Sequence, residues 1–186
     1  MRGSFDESEP VWVFGYGSLI WRQDFPYLDA RRAYIEGWAR RFWQGSHDHR
    51  GIHNDPGRVV TLIEANDKRC YGRAFLIKPN VFEHLDQREI NGYKRDEVEI
   101  YFDDGRASGV VYYAPTENFA FLGNAPPDEM VAQINRCVGR SGRNADYVLE
   151  LARALRNLNV SDPHVFELEE RILESQVKQA SRDSQL

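Results

Sequence analysis

Val11-Trp12-Val13-Phe14-Gly15-Tyr16-Gly17-Ser18-Leu19-Ile20-Trp21 is the stretch around which the rest of the chain reads. Its first four residues are β-branched or aromatic and predict a buried strand. Gly15 and Gly17 then bracket Tyr16 and turn the chain into Ser18. Glycine permits φ > 0 and lets a ligand approach main-chain N–H groups that a Cβ would shield, so a strand feeding this loop suits a small anion. Spacing excludes three familiar uses of such a loop. A dinucleotide fingerprint needs a third glycine where Ile20 stands, and a phosphate-binding Gly-Lys-Ser/Thr loop needs a lysine. A nucleophile elbow needs glycines two before and two after its serine, where Tyr16 and Ile20 flank Ser18. Ser18 is therefore a poor nucleophile, and a plain turn between two core elements is the alternative reading.

Outward from this stretch, Asp24–Ala33 reads as a turn at Phe25-Pro26-Tyr27 leading into a short helical segment, and aromatic-rich Tyr34–Gln44 reads as a strand. After a polar loop at His47–Gly57, Arg58–Glu64 and Arg69–Ile77 read as an antiparallel pair across a turn at Ala65–Lys68. Pro79–Glu89 has apolar residues at helical spacing, with Asn91-Gly92 to end it. Tyr93–Phe102 and Ala107–Ala114 form a second predicted hairpin across Asp103-Asp104-Gly105. From Pro126 the pattern is helical: Asp128–Val138, Ala145–Leu158 after a break at Gly142-Arg143-Asn144, and Asp162–Ser181. Strands first and helices after predict an α+β fold, a mostly antiparallel, strongly curved sheet flanked by helices. The expected organisation is an N-terminal tail over residues 1–10, one domain over 11–175, and a frayed tail over 176–186.

Composition narrows the function classes. A chain of 186 residues fits one ordinary domain, and 12 % aromatic content predicts a core or pocket with aromatic walls. A net charge of −5 argues against a general nucleic-acid binder, which needs an excess of cations on one face. The pairs Arg31-Arg32 and Arg40-Arg41 read instead as solvated faces or carboxylate partners. Cys70 and Cys137 make neither a Cys-x-x-Cys motif nor a disulfide framework, which points to a reducing compartment. No run of 18 apolar residues and no secretory segment is visible, so neither a membrane span nor export is expected, and the default is a cytoplasmic protein.

Two constellations carry possible chemistry. His47, His49 and His53, with Asp48 and Asp55, are dense enough to attract a transition metal, but no fourth His or Cys stands at a familiar spacing. A solvated polar loop is the preferred reading, and no metal is expected; His84 and His164 read as surface or satisfied core residues. Glu89 is the stronger candidate. It falls at the predicted C-terminal end of a helix, where the negative end of the dipole raises a carboxyl pKa, as a general base working near neutrality requires. Arg88 beside it could cancel that effect, and an ordinary surface glutamate is the competing reading.

Several blocks taken together resemble the ChaC family of glutathione-specific γ-glutamylcyclotransferases. They are Val13–Trp21, Arg40-Arg41-Phe42-Trp43-Gln44-Gly45-Ser46, Asp48-His49-Arg50-Gly51 and Pro56–Leu62. Further along come Arg88-Glu89-x-x-Gly92-Tyr93, Leu122-Gly123-x-Ala125-Pro126 and Ser141-Gly142-Arg143-Asn144-x-x-Tyr147. The resemblance implies a curved sheet or small β-barrel edged by helices, and cleavage of glutathione to 5-oxoproline and cysteinylglycine without metal or organic cofactor. It implies Glu89 as the catalytic glutamate and Gly15, Tyr16, Gly17, Ser18, Leu19 and Ile20 as the γ-glutamyl-binding loop. Arg41, Tyr93, Tyr112 and Tyr147 are further pocket candidates, each alternatively a core or surface group. Asn91 and His47 depart from the family pattern. The expected partner is the small molecule glutathione, with no nucleic acid and no membrane, and the protein acts as a monomer or weak dimer. Two alternatives stay open: a cyclotransferase for other γ-glutamyl amines or amino acids, and a non-catalytic binding module on the same scaffold.

Overall fold

The computed structural model describes residues 9–89 and 92–184, so Asn91 and most of the N-terminal tail lie outside the described residues. The strands are β1 (Val11–Gly15), β2 (Asp29–Ser46), β3 (Gly57–Ile77), β4 (Lys94–Phe102) and β5 (Gly105–Tyr113), followed by the short β6 (Val138–Gly139) and β7 (Gly142–Arg143). The helices are α1 (Phe82–Arg88), α2 (Pro127–Arg136), α3 (Asn144–Asn157) and α4 (Pro163–Asp183). Two compact units divide the chain. The first runs through Arg40 and takes Thr61–Phe119, and the second takes Arg41–Val60 and the chain from Ala120 on.

Strand order β1-β3-β2-β4-β5 closes into a barrel. β1 is antiparallel to β3, from Val11 opposite Ile77 to Gly15 opposite Arg73. It is parallel to β5, with Val13 beside Val110, and this contact completes the closure. β4 and β5 form the expected hairpin, Phe102 opposite Gly105 across Asp103-Asp104. The α+β expectation therefore holds, with the curved sheet wound into a full barrel.

Two expectations do not hold. The segment expected to turn helical before Ala33 is strand from Asp29. Arg58–Glu64 and Arg69–Ile77 are halves of one 21-residue strand rather than a hairpin. Asn66, Asp67 and Lys68 are exposed within it, and the strand runs through them despite their low β-propensity. β2 changes phase along its length: Ala33 and Ile35 are buried, then Arg40, Phe42 and Gln44. The buried positions are odd through Ala39 and even from Arg40 to Gln44, and Gly37, whose φ is +80°, lies shortly before the change.

In the first unit one apolar cluster takes in Val11, Val13, Leu19, Phe25, Phe75, Ile77, Val81, Leu85, Val110 and Tyr112. It joins the turn after β1 to α1. In the second unit Arg58 is the buried hub, donating to the carbonyls of Phe42 (3.0 Å) and Gly123 (2.9 Å) and to Gln133 Oε1 (2.7 Å). Asn144, also buried, accepts the Arg58 N–H and donates to its carbonyl. The break expected at Gly142–Asn144 is the β6–β7 hairpin. α4 begins at the Asp162 cap, whose carboxylate accepts the Val165 N–H, and continues to Asp183 through part of the expected tail. Among the described residues no helix is long and apolar enough to cross a membrane.

Candidate active site

The loop after β1 is a 3-10 turn over Ser18–Ile20 with Gly17 as its cap. Neither Gly15 nor Gly17 has positive φ, so the freedom anticipated for them is not used. Gly15 answers a different need, close approach: a Cβ there would lie 2.9 Å from Leu19 Cβ and 3.3 Å from the Arg73 carbonyl. Tyr16, Leu19 and Ile20 turn their side chains into the core, and Gly17 and Ser18 stay partly exposed. The Ile20 N–H donates to Gly17 O at 3.0 Å, which removes it from the expected set of anion donors. The earlier N–H groups of the turn are those a helical turn leaves without an internal acceptor.

Arg40 holds this loop from β2. It is 2 % exposed, donates from Nε to the Tyr16 carbonyl at 2.6 Å, and donates from Nη2 to the Tyr71 carbonyl. The expectation of a solvated arginine is therefore wrong for Arg40. Position 40 points inward, onto these carbonyls. Gln23 Nε2 closes the other side of the turn on the Leu19 and Ile20 carbonyls.

The expected helix over Pro79–Glu89 is a 3-10 turn, Pro79–Val81, followed by α1. Glu89 is the residue just past α1, with its N–H on the Leu85 carbonyl at 3.0 Å. Its side chain is only 17 % exposed. Burial pushes the carboxyl pKa up, the Arg88 charge pulls it down, and the Asp24 charge pushes it up again; the net direction is upward. The sequence argument reached the right direction through the helix dipole, but burial is the leading cause.

Arg88 connects the two halves of the site. Its Nε lies 3.6 Å from Glu89 Oε1, and Nη2 donates to Ser18 Oγ at 3.0 Å. Nη1 donates to Asp24 Oδ1 at 2.5 Å and to the Arg22 carbonyl at 3.3 Å. Asp24 also faces His84 Nε2 at 3.6 Å. Burial raises the Asp24 pKa, but Arg88 outweighs it and holds that carboxyl below its ordinary value. The sequence presents Arg88 as a neighbour that could cancel the Glu89 shift and as part of the Arg88-Glu89 block, and it does not single out Asp24. No spacing rule links positions 24, 18 and 88.

The remaining candidates fall in several places. Tyr112 is buried with its hydroxyl on Asp86 Oδ1 at 2.5 Å, which fastens α1 to β5. Arg95 reaches the same carboxylate at 3.1 Å. Tyr93 packs against the apolar cluster. Arg41 and Tyr147 belong to the second unit, where the Tyr147 ring meets Phe42 edge-on at 5.9 Å. His164 accepts the Phe42 N–H there at 3.1 Å, a satisfied histidine as expected. His47 Nδ1 lies 3.1 Å from the His53 carbonyl, and His49 Nδ1 lies 2.7 Å from Ser141 Oγ. Among the described residues no group of three or more His, Cys, Asp or Glu could hold a metal ion.

Comparison with known proteins gives a consistent picture. Residues 11–175 match the model of the family described as ChaC-like protein. The chain is 41 % identical over 174 residues to glutathione-specific gamma-glutamylcyclotransferase 1 of Danio rerio, covering 88 % of this chain and 89 % of that one. It is 39 % identical over 183 residues to the glutathione-specific gamma-glutamylcyclotransferase of Schizosaccharomyces pombe, covering 86 % and 90 %. A crystal structure of a γ-glutamylcyclotransferase specific to glutathione from yeast superposes with a TM-score of 0.81 at 28 % identity, covering 90 % of this chain and 99 % of that one.

Proposed function

Since the chain belongs to the ChaC-like protein family, we propose that it degrades glutathione by cyclising the γ-glutamyl group, releasing 5-oxoproline and cysteinylglycine. Glu89 accepts a proton from the substrate α-ammonium, freeing the amine to attack the γ-carbonyl carbon. The new C–N bond closes a five-membered ring, the old amide C–N bond breaks, and the two protons the nitrogen gives up, the first through Glu89 and the second after attack, pass to the cysteinyl nitrogen, which departs as an ammonium. The balance closes without a metal, a redox partner or an enzyme nucleophile. Attack within one molecule gains effective molarities on the order of 10⁵ M or more once the chain is held curled, so positioning supplies much of the rate. Gly15–Ile20 is the γ-glutamyl-binding loop in this reading: its early N–H groups receive the α-carboxylate or the developing oxyanion.

The observation that carries the reading is a largely buried carboxyl with a raised pKa, linked through one guanidinium to the serine of the loop. The test is incubation of the purified protein with reduced glutathione in chelator, with γ-glutamylalanine in parallel. 5-Oxoproline and cysteinylglycine from glutathione alone are expected. Turnover of the dipeptide alone would keep the chemistry and move the substrate. No 5-oxoproline from either would leave a binding module. The working form is taken as a monomer or weak dimer in the cytoplasm, to be checked by light scattering and cell fractionation.

A further inference from the structure

We propose that Asp24 is a positioning residue that, by anchoring the Arg88 guanidinium beside Ser18, keeps that charge from closing on Glu89. The inference rests on Glu89 being the proton acceptor. The geometry divides Arg88 among three side chains and one carbonyl. Nη1 is held by Asp24 at 2.5 Å and Nη2 by Ser18 at 3.0 Å, while Nε stands 3.6 Å from Glu89 Oε1. That last distance is beyond a hydrogen bond, although Arg88 and Glu89 are consecutive and both side chains are 17 % exposed. A guanidinium next to a buried carboxylate otherwise favours a two-pronged, charge-assisted pair. Such a pair would make Glu89 a poor base, because accepting a proton would cost it the Arg88 contacts. Asp24 supplies the competing carboxylate from the chain segment that follows the binding loop, and the Arg22 carbonyl assists it.

The charged and titratable groups recorded around the Glu89 carboxyl are Arg88 beside it and Asp24 across from it. His84, one turn back on α1, faces Asp24. Asp24 thus acts on Glu89 twice, through its own negative charge and through its hold on Arg88. Both effects favour the protonated carboxyl. Removing Asp24 lowers the affinity of Glu89 for a proton, and removing Arg88 raises it. Opposite shifts from two residues in direct contact form a signature that loss of packing does not produce.

The experiment is the pH profile of kcat with glutathione on full-length variants, alongside direct ¹³C titration of the Glu89 carboxyl. Asp24→Asn is expected to move the acid limb down by about one unit and to lower plateau kcat by about 3- to 10-fold, with KM little changed. Arg88→Gln is expected to move the limb up. Asp24→Glu, which keeps the charge, should return the limb toward wild type, and it carries the test with Arg88→Gln if Asp24→Asn does not fold. His84→Gln should leave the limb in place, which removes the imidazole as its source. An unmoved limb in Asp24→Asn, or shifts of the same sign in Asp24→Asn and Arg88→Gln, overturns the proposal. Glu89→Gln runs beside them: if that variant still makes 5-oxoproline at the wild-type rate, the reading of Glu89 fails first and separately.

Discussion

Glu89 carries two consequences that can be measured apart. Glu89→Gln keeps the shape but cannot take a proton, so kcat for glutathione should fall by roughly 10²–10⁴ while the far-ultraviolet spectrum is unchanged. Its effect on stability runs the other way. The folded pKa is raised by burial, so between the unfolded and folded values the native state holds the extra proton and wild-type stability declines as pH rises. The variant avoids that decline. In urea titrations it should be more stable than wild type at neutral pH, with the difference vanishing below about pH 4. At this scale the sequence offered Glu89 and the glycine loop because those residue types and spacings are local. Asp24 and Arg40 were illegible, since an arginine that binds buried carbonyls and one that faces water are the same letter.

At the scale of elements, the sequence recovered what rests on local periodicity and missed what rests on pairing. α2, α3, α4 and the β4–β5 hairpin fall within a few residues of the pattern that predicts them. The unbroken β3 does not, because Asn66-Asp67-Lys68 carries a turn's composition and yet continues the strand. Gly37 is a local signal of irregularity inside β2, where a glycine often marks a bulge, and its φ is +80°. Gly37→Ala meets no atom within 4 Å of the new Cβ, so its cost is backbone conformation alone. A loss of about 1–2 kcal/mol is expected in chemical denaturation. If the phase of β2 depends on this glycine, activity should fall more than that loss of fold explains.

For the whole molecule, α4 ends in side chains that contribute little. The last side-chain bond recorded from α2 to α4 is Asn135 to Ser175 Oγ at 2.7 Å, and residues 177–184 are exposed. Ending the chain after Ser175 should lower Tm by no more than a few degrees and leave turnover of glutathione intact, which calorimetry and a 5-oxoproline assay would establish. A large loss would make the terminal turns part of the fold. The barrel's closure has a consequence for how the protein is made. β1, which leads into the Gly15–Ile20 loop, leaves the ribosome before the other strands described, yet its β5 neighbour is synthesised nearly a hundred residues later. Until then a nascent Val-Trp-Val-Phe segment has an open edge and no barrel to join. The Gly15–Ile20 loop therefore gains its setting late, and β1 waits for β5 with that edge open.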